Sequence, residues 1–170
     1  LVRREVTETI TPGAVLSDTL LSARRNNFLV ALNDAGDHIA LAAADVSTGE
    51  LVGCMVDPDG LEAELARWEA AEFLLPATWD GRDIAGAAGA SRTYRPAWLF
   101  DREFGADELR RRYNVHGIEG FGFQPGEDAL IGVLGALLGY LGEVQPVALR
   151  ALRQPRLERA RDAMPLDEMT

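Results

Sequence analysis

The chain has 170 residues, 47% of them apolar, with 27 acidic against 17 basic side chains and a formal net charge of −10. That length suits one domain with room for a fragment of a second, and a chain of this size buries about 70% of its unfolded surface, enough for a core of its own. The acidity speaks against a surface that grips nucleic-acid phosphate unaided, because such surfaces are basic.

The charge is uneven. Residues 146–170 contain five arginines and four acids, so the excess of acid belongs to the first 145 residues. Every base is an arginine, a bias that suits a GC-rich genome. Cys54 is the only cysteine, which excludes an internal disulfide and a thiolate zinc site. A lone cysteine suits a reducing cytoplasm. No basic segment followed by an apolar run marks a signal peptide. The longest apolar stretch, residues 129–141, is too short to span a bilayer and carries Gly132, Gly135 and Gly139. A soluble, cytoplasmic protein with no membrane partner is expected.

Residues 1–11 read as a half-exposed strand or linker, with Val2, Val6 and Ile10 to one side and Pro12-Gly13 ending it. Residues 27–33 form a short apolar strand, 33–37 a turn cluster, 38–46 a second strand, 47–49 a turn and 51–56 a third strand. Short turns make these three an antiparallel meander. Apolar residues on both faces predict cover on both sides of the sheet. A helix then starts near residues 58–60, with Asp59 as candidate N-cap and Leu61, Leu65 and Trp68 on one face. Residues 72–75 form a strand closed by Pro76, and a weak Gly/Ala-rich helix is expected over 81–88. Residues 92–98 form a fifth strand, at an edge because Pro96 cannot donate to a ladder. A helix over 106–113 turns Leu109 and Tyr113 inward. The longest helix, 126–143, carries Leu130, Val133, Leu134, Leu137, Leu138 and Leu141 as its apolar stripe. Pro155 and Pro165 predict a poorly helical, extended crossing segment over 146–170.

Three antiparallel strands followed by alternating helices and strands predict an α/β fold with ribonuclease-H-like topology, a mixed central sheet with helices on both faces. Four runs then carry a resemblance. They are residues 2–13 (VRREVTETITPG), Asp45-Val46-Ser47-Thr48-Gly49-Glu50, Gly120-Phe121-Gly122, and residues 135–141 (GALLGYL). Together, in this order and across essentially the whole chain, they resemble an internal stretch of the MutS family of DNA mismatch repair proteins. The resemblance implies the end of a mismatch-binding domain with its linker over 1–12, a connector domain over 13–145, and the start of the core/lever domain over 146–170, where Met164-Pro165-Leu166-Asp167 resembles the core entry. It implies a transmitter that couples mismatched-DNA binding to the ATPase and clamp domains and offers a surface to a MutL-like protein. The implied partners are that protein, the neighbouring MutS domains, a second MutS subunit, and mismatched duplex DNA through other domains. ATP and magnesium belong to the parent family. No cofactor is expected in this segment, which has no Gly-x-x-x-x-Gly-Lys-Ser/Thr loop and no lysine to build one. The aromatic-plus-Glu motif that reads a mismatch in that family is absent too.

The alternative is a metal-dependent ribonuclease-H-like nuclease. Such enzymes need carboxylates converging on two divalent ions. The first strand, 27–33, contains none, and Glu62, Glu64 and Glu69 read as a solvated helix face. The Asp45-Ser47-Thr48 turn could hold a metal or phosphate, as a small-ligand binder would, but such residues more often bond their own backbone. His38 and His116 stand far apart and suggest no triad. Arg110-Arg111-Arg112 point in different directions on a helix and suit pairing with Asp107 and Glu108. Arg150, Arg153, Arg156, Arg159 and Arg161 suit phosphate contact or pairing with the acidic body equally well. The Gly135-x-x-x-Gly139 spacing suggests tight packing on a sheet. Asp107, Glu108 and Arg111 are the candidate partner surface, so reversing Asp107 and Glu108 to Lys is expected to weaken MutL binding with the fold intact. Pro12-Gly13 and Gln145-Pro146 are candidate hinges.

Overall fold

The computed structural model describes residues 28–87 and 89–159. Pro12, Gly13, Arg161 and the 164–167 run lie outside the described residues. Six strands form one mixed sheet: β1 Phe28–Ala35, β2 His38–Asp45, β3 Glu50–Val56, β4 Ala70–Pro76, β5 Ser91–Arg95 and β6 Arg156–Glu158. Their order is β5-β4-β1-β2-β3-β6. β2 runs antiparallel to β1 and β3, while β4, β5 and β6 run parallel to β1, β4 and β3 respectively. The helices are α1 Leu61–Trp68, α2 Arg102–Tyr113, α3 Asp128–Val144 and α4 Pro146–Arg150.

Alternation along the strands decides which side each helix takes. Leu29, Ala31, Ala40, Ala42, Ala44, Leu51 and Leu74 share a cluster with α2, α3 and α4. Phe28, Val30, Leu32, Leu41, Val52, Phe73 and Leu75 share another with α1 and the loop after β4. The first face is mostly alanine at its centre, so α3 sits close and its leucines fill the gap. Gly53 continues that small surface: a Cβ there would meet Leu130 Cδ1 at 3.0 Å and Leu134 Cδ1 at 3.3 Å. The second face has larger side chains and needs less cover.

Several expectations change. β1 runs through Asn33 and Asp34 to Ala35, because backbone pairing to Ala40, Ile39 and His38 overrides the turn preference of Asn and Asp. Gly36, at φ +71°, then makes the tight turn. The helix expected over 81–88 is absent among the described residues: the crossover holds only a 3₁₀ turn at Ala77–Trp79, and Gly81 and Gly86 take φ +83° and +91°. Ile84 and Ala87 plug the core from this loop. Asp59 is not an N-cap. It lies inside a 3₁₀ turn, Pro58–Gly60, that leads into α1. β5 stops at Arg95, because Pro96 begins a 3₁₀ turn, Ala97–Phe100. As expected, β5 is an edge strand. α2 starts earlier than its pattern predicts, at Arg102.

Among the described residues, the segment after Gln145 opens on a helix rather than on an extended run. Pro146 occupies a first-turn position, where its missing N–H costs nothing, and starts α4. Ala148, Leu149 and Leu152 are buried in the main core, and β6 extends the sheet. Gln145-Pro146 is therefore a packed α3–α4 joint, with Gln145 N–H donating to Leu141 O at 2.8 Å.

Candidate functional site

The glycines of α3 prepare one flank of the molecule. Gly132, Gly135, Gly139 and Gly142 fall three or four residues apart and so form one stripe. That stripe faces α2 and the turn before it, not the sheet. A Cβ on Gly132 would lie 1.9 Å from Phe100 O, and one on Gly135 would lie 2.2 Å from Gly105 Cα. The tight packing expected at Gly135 is thus helix on helix. Near the far end, Gly139 admits the Phe104 ring and Gly142 the Arg112 guanidinium.

A cleft of about 360 Å³ opens there, lined by Leu74, Arg95, Trp98, Phe104, Arg112 and Tyr140 among others. The 3₁₀ turn after Pro96 buries Phe100 and leaves Trp98 59% exposed. The Trp98 indole stands edge-on to Phe104, centroids 5.8 Å apart. Arg95 lies over the Tyr140 ring at 5.0 Å and reaches Glu143 at 3.3 Å. Beneath, Tyr140 Oη donates to Glu72 Oε2 at 2.6 Å and Thr93 Oγ1 donates to the same oxygen at 2.8 Å. Glu72 is fully buried, so its partners hold both the strand edge and the helix in place. An exposed indole beside guanidiniums over an apolar floor is suited to take an apolar or aromatic side chain from a partner.

The candidate residues on α2 separate. Asp107 is exposed and pairs with Arg110 on its own helix. Glu108 is buried, at 3% exposure, and bonds Arg111 and Arg112. Arg111 is exposed. So the three arginines are used in pairing along the helix, and Glu108, though buried, lines the cleft beside Arg112. The double reversal to Lys is therefore expected to destabilise the fold as well. Trp98, Arg95, Glu72 and Tyr140 went unremarked in the sequence reading. A Trp two residues after the Pro that ends an edge strand, and a Glu inside an apolar strand, were the available signals.

The Asp45 turn is local. Asp45 Oδ1 accepts from Ser47 N at 2.9 Å and from Ser47 Oγ at 2.6 Å, and Asp45 O accepts from Gly49 N at 2.8 Å. Gly49 at φ +82° keeps the turn open to the C-terminal segment, where Arg153 N donates to Gly49 O at 2.9 Å. His38 stands between Asp37 and Asp57 at 2.8 and 3.2 Å, and His116 is exposed. Among the described residues no group of three or more His, Cys, Asp or Glu could hold a metal ion. Burial pushes the Cys54 thiol up to about 12, so it stays protonated.

Among the described C-terminal arginines, Arg153, Arg156 and Arg159 are engaged. Arg153 donates to Thr48 O at 2.9 Å, Arg156 pairs with Glu50 and Glu158, and Arg159 pairs with Glu127. Arg150 is exposed. The hydrogen bond from Arg67, then that from Arg156, hold the Glu158 carboxyl below the usual carboxylate range against the opposing effect of burial. A depressed folded value stabilises above the unfolded pKa of about 4.3, and that share is lost as pH falls through the folded value. The urea midpoint should therefore drop on acidification from about pH 6 to about pH 3, and drop less in Glu158→Gln. Equal drops would remove Glu158 from the acid response.

No helix among the described residues is long and apolar enough to cross a membrane. The sequence model of the family described as MutS domain II matches residues 27–153. The chain is 35% identical over 173 residues to the DNA mismatch repair protein MutS of Solibacter usitatus, covering all of this chain and 20% of that protein. It is 37% identical over 170 residues to the MutS of Dinoroseobacter shibae, covering all of this chain and 19% of that protein. With the MutS of Synechococcus elongatus the identity is 35% over 187 residues, again across the whole chain and 21% of the relative. The chain thus spans about a fifth of the length of these relatives. The family model covers β1 to β5 and all four helices, and the relatives cover the whole chain: the chain belongs to the MutS domain II family.

Proposed function

We propose that this chain is the connector of a MutS-like DNA mismatch recognition protein. It transmits mismatched-DNA binding in the preceding domain to the ATPase and clamp domains, and it offers a docking surface to a MutL-like protein. The observation that carries this reading is the match to MutS domain II over residues 27–153, in a chain that is about a fifth of its relatives. The interlocked α2 and α3 support it, because a body that cannot shear internally moves as one unit in a hinge transition. The strand pattern, an antiparallel meander continued by parallel strands, supports the ribonuclease-H-like reading of the fold. A hinge at Pro12-Gly13, a second MutS subunit and a cytoplasmic setting belong to the same proposal. ATP and magnesium act elsewhere in such a protein.

Binding tests it. The chain is titrated with the MutL-like protein of the same organism and, separately, with mismatched duplex. MutL binding without DNA binding is expected, since the body is acidic and the described C-terminal arginines other than Arg150 are occupied. Tight DNA binding without MutL binding would overturn the reading.

The proposed docking surface is the Trp98 cleft, with Asp107 and Arg111 as further candidates on α2. Trp98→Ala is expected to weaken MutL binding by about 2 kcal/mol or more, as truncating a buried aromatic anchor does. Its melting temperature should be unchanged, because the indole is mostly exposed. Full affinity in Trp98→Ala would move the docking surface elsewhere.

A further inference from the structure

After α4 the chain turns back along the sheet, and among the described residues Leu152 is the last buried side chain of the main core, with half-buried Leu157 packed against it from the edge. Beyond it the contacts change in kind. β6 adds three residues beside β3, with Val52 opposite Arg156, Gly53 opposite Leu157 and Cys54 opposite Glu158. Of residues 153–159 only Pro155 is buried, and Leu157 is half-buried. So little apolar area holds this segment.

Charge holds it instead. Each charged side chain reaches a different part of the body. Arg153 donates to Thr48 O in the β2–β3 turn at 2.9 Å. Arg156 meets Glu50 on β3 at 2.8 Å. Glu158 accepts both terminal nitrogens of Arg67 on α1, at 2.9 and 2.8 Å, and also accepts from Arg156. Arg159 meets Glu127 at 2.9 Å and Gly122 O at 2.8 Å. The Tyr113 hydroxyl donates to Arg153 O at 2.8 Å. Single surface pairs contribute little, but a shared, bidentate network contributes more and remains open to screening by salt. A short edge strand held in this way sits at the low end of the scale of local opening energies.

We infer that residues 153–159 form a charge-latched strap that docks on the β3 edge and releases as a unit, pivoting at Leu152, before the sheet opens. Release adds about 23 Å of extended chain, seven residues at about 3.3 Å each, to the reach of the residues that follow. It also uncovers the outer edge of β3 and frees three arginines from the acidic body. The strap requires nothing from the connector reading and stands or falls apart from it.

Hydrogen-exchange mass spectrometry on the whole 170-residue chain tests it, at pH 7 in about 50 mM and about 1 M sodium chloride, across which the screening length shortens to about 3 Å. Exchange in peptides covering 152–159 should accelerate about tenfold or more at high salt while β1 and β2 peptides hold steady. Glu158→Gln and Arg67→Gln should each reproduce that acceleration at low salt, and the double variant should add little to either. A segment that exchanges only together with β1 and β2, indifferent to salt, overturns the inference. So does one already unprotected at low salt.

Discussion

Gly135→Ala is expected to destabilise the protein by about 2–3 kcal/mol, the upper part of the range for forcing extra carbon into a packed interior. Helix propensity alone predicts the opposite, a gain of about 1 kcal/mol for alanine over glycine. The two forces can be compared because the position is so tight. The new Cβ would stand 2.2 Å from Gly105 Cα, which is backbone and cannot rotate away. The helices must separate, and Leu109, Leu134 and Leu138 lose contacts with each separation step. Gly139→Ala is the control. Its Cβ would meet the Phe104 ring at 3.4 Å, an ordinary contact, so propensity should win and stability should hold or rise slightly. Urea midpoints of the two variants settle the matter. A more stable Gly135→Ala protein would mean that α2 and α3 stand further apart in solution.

Glu108→Lys is expected to cost about 3–5 kcal/mol, a large share of the about 5–15 kcal/mol by which a domain is stable. The side chain is 3% exposed and is the shared acceptor of Arg111 and Arg112. Reversal buries an ammonium where a carboxylate stood, beside the two guanidiniums that it had paired, and strips both of their partner. Asp107→Lys, one residue earlier, faces solvent and should change stability by no more than about 0.5 kcal/mol. Thermal melts followed by circular dichroism separate them. If both variants melt with the parent, the buried ion pair is absent in solution and α2 presents both carboxylates outward. If they split as expected, Asp107 and Arg111 remain, of the three α2 candidates, as outward charges for a partner to read.

That split also measures how far the sequence could be read. Helical periodicity places Leu109 inward and was followed correctly, but Asp107 and Glu108 are adjacent charges in an acid-rich, base-rich turn. Nothing in their identity says that one is buried. Burial came from α3, whose Gly139 and Gly142 leave room for Phe104, Glu108 and Arg112 to press close. The Gly135-x-x-x-Gly139 spacing suggests packing on a sheet, yet the glycines meet α2 instead, because whether that surface was sheet or helix depended on the strands. Alanines at 40, 42 and 44 draw the leucine face of α3 to the sheet, so the glycine face is left for α2. The helix expected over 81–88 failed for a similar reason. Alanine-rich composition favoured it, while glycines at positive φ and the demand for Ile84 and Ala87 in the core led the chain another way.

By itself the sequence determined the meander, the two covered sheet faces, the edge position of β5, the long α3 and the family resemblance, because each rests on local periodicity, turn chemistry or a short contiguous run. Only the tertiary structure decided that Glu108 is interior, that Trp98 stands at the mouth of a cleft, and that the arginines of residues 153–159 are spent on the acidic body. Those outcomes depend on which distant surfaces meet. Strand order and the close approach of two helices set that, and neither is written in the spacing of neighbouring residues.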